Sequence, residues 1–268
     1  MIIDSHTHVF PDKIAEKIIL SLQKSGNQKA EIGGTVNDLL NAMRNNGVDK
    51  SLVLPVLTKP ESFDSINRFA AEINKIPEII SFAGIHPYCE NINKLLDRIK
   101  QMGFKGIKLH PDFQETDITD EGYVKIIHGA GKRGLKVVIH AGIDPSYPNH
   151  IHCPPELSAE VIKELTPKNT EPFIVLAHLG GITENYEKTA RLLVGLPFFF
   201  DTSFVLEKTE QTILKEIINE HGYKRVLFAT DSPWRNAKRY IKIIRALNLS
   251  IEETNAILGD NVAKLLDI

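Results

Sequence analysis

The chain has 268 residues, 42% of them hydrophobic and 25% charged, with a formal net charge of −2. This is the balance of an ordinary globular chain; it excludes the positive field that recruits nucleic acid or an anionic membrane, and no apolar run approaches the roughly 20 residues that span a bilayer. Its two cysteines, Cys89 and Cys153, lie outside any CxxC pair, which argues against a disulfide framework or a thiolate metal site and leads us to expect a reducing cytoplasm.

The N-terminus opens on Ile2-Ile3 and lacks the basic-then-apolar pattern of a secretion signal. Asp12 can cap a helix with Ile14, Ile18, Ile19 and Leu22 on one face, followed by a Gly33-Gly34 turn. The whole stretch 9–34 is long for a first connection, and reads equally as a partial lid or as an added peripheral helix. Thr35 can cap the next helix, with Val36, Leu39, Leu40 and Met43 on one face and Gly47 ending it. Apolar runs then recur at 51–55, 79–85, 106–110, 136–140, 173–178, 197–202 and 225–230, rich in Val, Ile, Leu and Phe. Near-continuous runs of this kind read as parallel strands buried on both faces. Helical patterns at 61–76, 91–102, 120–133, 155–165, 183–194, 207–220 and 235–247 alternate with them. With Ile2-Ile3 as the first strand, eight βα units predict a closed (β/α)8 TIM barrel as one domain over 1–268. An open doubly wound sheet is the alternative, but no GxGxxG or Walker loop supports it.

Residues suited to metal binding fall at the C-terminal ends of these strands, where such barrels build their sites. Strand 1 ends in His6-Thr7-His8, strand 4 in Lys108-Leu109-His110, strand 5 in His140, strand 6 in His178-Leu179-Gly180-Gly181, and strand 8 in Thr230-Asp231-Ser232-Pro233-Trp234. Residues two apart on a strand share a face, so His6 and His8 can aim together at the barrel mouth. Closure of the barrel would bring Asp231 beside them. One HxH pair is a weak motif, but several such residues at strand ends of one polarity are hard to explain as core polar groups. Imidazole nitrogens with a carboxylate suit Zn²⁺, and also Mn²⁺, Fe²⁺ or Ni²⁺.

Together with Ile3-Asp4 and the closing stretch 257–266, these motifs resemble the amidohydrolase superfamily. More narrowly they resemble its amidohydrolase-2 branch of TIM-barrel metal-dependent hydrolases, which also holds aminocarboxymuconate-semialdehyde decarboxylase and related decarboxylases. The resemblance implies one metal on His6, His8, His140 and Asp231, with His178 beside the metal-bound water or at the edge of the ligand set. Lys108-Leu109-His110-Pro111 is also similar to the segment in which binuclear members such as dihydroorotases carry a carbamylated lysine. A carbamate on Lys108 would bridge two ions and move His140 and His178 to the second. We adopt one ion and an unmodified Lys108.

The chemistry expected is hydrolysis of a small-molecule amide, lactam, lactone or ester bond, with Asp231 and His178 as catalytic residues. A decarboxylase of an unsaturated or aromatic carboxylic acid could use the same ligands, and a barrel that binds without turnover is the third reading. His110, His86, His152, Trp234 and Arg235 are candidate substrate contacts. Arg235 could clamp a carboxylate or be a solvated arginine, and Trp234 could wall the pocket or pack beneath it. Loop 142–155, with four prolines, is expected to shape specificity. Cys153 reads as a bystander. The expected partner is a small-molecule substrate; self-association into a homo-oligomer is compatible with the composition.

Overall fold

A computed structural model describes residues 1–148, 150–166, 171–181 and 186–268. Eight parallel strands form a closed (β/α)8 barrel: β1 (Ile3–Thr7), β2 (Lys50–Val53), β3 (Ile79–Ser81, resuming after Phe82 as Ala83–Gly84), β4 (Gly106–Leu109), β5 (Lys136–Ile139), β6 (Ile174–Leu176), β7 (Phe199–Asp201) and β8 (Val226–Leu227). Phe82 N donates to Val53 O at 3.0 Å across the break in β3. Closure between β8 and β1 uses Ser5 N to Phe228 O (3.0 Å), Asp231 N to His6 O (2.9 Å) and a parallel bridge between Thr7 and Ser232.

The helices are α1 (Asp12–Gly26), α2 (Val36–Asn46), α3 (Phe63–Ile73), α4 (Ile92–Gln101), α5 (Glu121–Lys132), α6 (Pro155–Leu165), α7 (Tyr186–Leu193), α8 (Gln211–His221), α9 (Ala237–Ala246), α10 (Ile251–Asn255) and α11 (Asn261–Leu266). α1 to α9 match predicted positions to within a few residues, although the start of the helix expected over 183–194 lies outside the described residues; α11 falls in the closing stretch 257–266, and α10 has no predicted counterpart. Thr35 caps α2 through a reciprocal box with Asp38, and Gly47 ends it in a left-handed conformation. In α1 the cap position is Pro11, and Asp12 is the first helical residue. Among the described residues no helix is long and apolar enough to cross a membrane.

Alternation along each strand divides the core. Ile3, Leu52, Phe82, Val138, Val175, Phe199 and Leu227 form the inner cluster, closed off by Val262, Leu265 and Leu266 of α11. Val137, Ile139, Ile174, Leu176, Phe200 and Val226 pack outward with the helices. With side chains alternating by two, Val138 is followed on the inner face by His140, and Phe199 by Asp201. Lys108 pairs in register with Val138, so it too faces inward. The inner face therefore changes from apolar to ionisable toward the C-terminal ends of the strands.

Segment 9–34 is tied to loops of that same end. Glu31 N donates to Pro233 O at 2.7 Å, and Ser25 Oγ lies 3.0 Å from Ser146 Oγ in loop 142–155.

Candidate metal centre

The centre is assembled from the ends of β1 and β8. His6 Nε2, His8 Nε2 and Asp231 Oδ1 converge, separated by 3.2 Å (His6–His8), 3.4 Å (His6–Asp231) and 3.2 Å (His8–Asp231). The outer ring nitrogens fix the tautomers. His8 Nδ1 is 2.8 Å from Leu54 O, a carbonyl that can only accept. His6 Nδ1 is 2.8 Å from Asp201 Oδ2. Each Nδ1 therefore holds the proton, and both Nε2 lone pairs face the Asp231 carboxylate. Three acceptors this close repel one another unless a positive charge sits between them. Atoms about 2.0–2.1 Å from a tetrahedral zinc lie roughly 3.3 Å apart. The triplet thus fits a divalent ion in spacing, burial and donor chemistry.

A second pair adjoins it. His178 Nε2 is 3.0 Å from His140 Nδ1, and the His178 ring centroid is 5.3 Å from that of His6. His178 Nδ1 donates to the carbonyl of Ser203 at 3.0 Å, so its Nε2 is also a bare lone pair. Of the four ligands implied by the resemblance, three are together and His140 stands beside them with His178. Lys108 Nζ is 3.3 Å from His6 Nε2.

Asp201, which the sequence reading passed over, organises both groups. Its Oδ2 accepts from His6 Nδ1, and its Oδ1 accepts from His178 N, Ser203 N and Ser203 Oγ. A carboxylate behind a histidine orients the ring and raises its basicity. The available signal was an acid ending the apolar run Phe198-Phe199-Phe200. Asp4 is the other silent member. Its carboxylate accepts from Thr230 N (2.9 Å) and Thr230 Oγ1 (2.5 Å), while Thr230 Oγ1 accepts from Ser232 N at 3.0 Å. That chain braces Asp231 on both sides and holds it at φ 68°. His178 and Leu179 also take left-handed backbone, at φ 58° and 51°. Such conformations cost about 1–3 kcal/mol each and persist where the surroundings impose them.

Burial and neighbouring charge set the protonation states. Burial pushes the Lys108 ammonium down to about 8, against the pull of Asp201, Asp231 and Asp144. Burial, then His140, takes His178 down to about 4. His6 lies well below the ordinary histidine range, through burial and then Lys108. Burial raises the Asp231 carboxyl, but the contact with His8 and the closeness of His6 and His178 outweigh it and hold it far below the usual range. Burial lifts Asp4 to about 7.

The other candidate contacts differ in position. His110 is buried and stacks on His140, with centroids 4.0 Å apart and planes 12° apart, and its Nε2 is 3.6 Å from Asp144 Oδ2. His86 is buried, and its Nδ1 accepts from Tyr88 N at 3.2 Å. His152 turns its Nδ1 to Asp117 Oδ1 at 2.8 Å. Trp234 N donates to Asp231 O at 2.9 Å. Arg235 is engaged by Trp234 O, Gln28 and Glu207, and its Cζ lies 3.9 Å from the Phe204 ring centroid. Cys153 is buried, and burial pushes its thiol up to about 12, which leaves it unreactive.

None of the curated proteins matches the chain in sequence. Solved structures share its fold at low identity. The 5-carboxyvanillate decarboxylase of Sphingomonas paucimobilis superposes with a TM-score of 0.68 at 16% identity, over 100% of this chain and 99% of that one. A Pseudomonas putida protein assigned as a 2-pyrone-4,6-dicarboxylic acid hydrolase gives 0.70 at 17%, over 99% and 97%. A dihydroxybenzoic acid decarboxylase of Polaromonas sp. JS666, with bound manganese and 2-nitroresorcinol, gives 0.69 at 17%, over 99% and 96%. The family description "Amidohydrolase" matches residues 3–268, so this chain is an enzyme of the amidohydrolase family.

Proposed function

We propose that the chain is a metal-dependent hydrolase that cleaves an amide, lactam, lactone or ester bond of a small molecule. The observation that carries this reading is the convergence of His6 Nε2, His8 Nε2 and Asp231 Oδ1 within 3.2–3.4 Å of one another, with no proton available from either ring. In this reading these three hold a divalent ion, zinc by donor preference, and His140 and His178 complete the centre. Such an ion lowers the pKa of bound water toward 7 and polarises a carbonyl.

The chain's own groups do the rest. Asp231 is ionised and can take a proton from water, then return it to the leaving group. His178 stays neutral at physiological pH, and its bare Nε2 can orient the attacking water. Lys108, still largely charged at pH 7, places an ammonium where negative charge develops. The ordering of Lys108 near the ligands serves this role without carbamylation.

The same buried ammonium favours a second reading, decarboxylation, because it can hold a substrate carboxylate. Likeness in fold to decarboxylases of aromatic acids supports it. Incubation with lactones, esters, amides and aromatic or unsaturated acids, in H₂¹⁸O with zinc or manganese, separates the two. Heavy oxygen in the acid product marks hydrolysis; carbon dioxide release without it marks decarboxylation. His8→Ala is expected to remove at least 10³-fold of either activity, and retained turnover refutes the metal mechanism.

A further inference from the structure

Each candidate ligand histidine has its outer nitrogen pinned by an oxygen, His6 by Asp201, His8 by Leu54 O and His178 by Ser203 O. His140 differs. Its Nε2 is buried without a hydrogen-bond partner among the described residues, and so is Asp112 Oδ2, which lies only 3.4 Å away. Asp112 is fully buried. An unpaired polar atom is costly when buried, and one proton on Nε2, with a small ring turn, relieves both. The opposite tautomer would set a bare Nε2 lone pair against a buried carboxylate, whereas the Nε2–H tautomer leaves Nδ1 bare 3.0 Å from the bare Nε2 of His178, an opposition that a cation in the centre relieves. The other oxygen, Asp112 Oδ1, accepts His152 N at 3.0 Å, and Ile118 N holds His152 O at 2.9 Å.

We infer that Asp112 is a positioning residue. It fixes the proton of His140 on Nε2, so that Nδ1 presents its lone pair to the centre, and it ties the return arm of loop 142–155 to that ligand. The inference rests on the reading of His140 as a ligand. Asparagine in place of Asp112 separates the two duties. Its one oxygen is taken by His152 N, which leaves its amide N–H₂ facing His140 Nε2 and reverses the tautomer. A carboxylate-to-amide change of this kind keeps the shape and loses the protonation pattern.

The experiment has three arms. Ring ¹⁵N shifts of His140 in zinc-loaded wild-type protein are expected to show the proton on Nε2 and a metal-shifted Nδ1. Zinc affinity, read by competition with a chromophoric chelator, is expected to fall about 10- to 100-fold in Asp112→Asn, with proteolysis of loop 142–155 unchanged. Asp112→Ala is expected to lose affinity and also to speed cleavage in that loop. His140→Ala is the control. If it binds zinc as the wild type does, the ligand reading fails and the inference with it. If it loses affinity while Asp112→Asn does not, or if wild-type His140 is protonated on Nδ1, the inference alone is overturned.

Discussion

At the scale of the residue, the centre is a set of bare lone pairs held in place by oxygens behind them. Asp201 is the most heavily used of these, because one carboxylate serves His6, His178 and Ser203. Asp201→Asn would set an amide N–H against the protonated His6 Nδ1. We predict a zinc affinity lower by about 10- to 100-fold, measured by chelator competition, in a chain that stays folded. An unchanged affinity would show that His6 needs no orientation from behind. The histidines and Asp231 were legible in the sequence because they end strands at a recurring place. Asp201 and Asp112 were not, and Asp4 stood out only as part of the opening motif, because their partners lie far away in the chain, and a carboxylate that receives several hydrogen bonds looks in sequence like any other acid. Lone-pair direction was equally hidden: nothing in the spacing says that Leu54 O or Ser203 O chooses the tautomer.

At the scale of the element, periodicity carried most of the architecture. The strands and helices fall where alternation and caps placed them, since packing and propensity agree along them. The capping box of α2 gives a direct check. Thr35 accepts from Asp38 N at 3.1 Å, and Asp38 accepts from Thr35 N at 3.0 Å. Thr35→Ala is expected to lower stability by about 1 kcal/mol in urea titrations, with activity retained. The glycine pair behind β5 and β6 is stricter. A Cβ on Gly142 would lie 2.4 Å from Gly181 Cα, and both residues have left-handed φ, at 79° and 88°. Gly142→Ala should therefore push apart the two loops that carry His140 and His178, costing both melting temperature and zinc affinity. If the variant melts and binds as the wild type does, that backbone crossing is not a constraint. The sequence places Gly180 and Gly181 at the end of the sixth strand, but the approach of Gly181 to Gly142 came only with the third dimension.

At the scale of the whole molecule, one closed barrel places a C-terminal asparate beside an N-terminal histidine pair, so folding and site assembly are linked. A buried group remote from the centre tests how the fold responds to acid. His221 is 1% exposed, its Nε2 donates to Phe198 O at 2.9 Å, and its Nδ1 accepts from Gly195 N at 3.2 Å. Burial depresses it to about 4. The unfolded chain, titrating near 6.5, binds the extra proton first, so this contribution is intact above 6.5 and is lost as the pH falls toward 4. In zinc-free protein His221→Gln should flatten the decline of stability between those values, by up to about 3 kcal/mol; an unchanged slope would contradict the assignment. The central claim is that His6, His8 and Asp231 hold a divalent ion, and anomalous diffraction at the zinc edge from zinc-grown crystals tests it most directly. The account predicts a strong peak enclosed by His6 Nε2, His8 Nε2 and Asp231 Oδ1. No peak there, with all three side chains ordered, would contradict it.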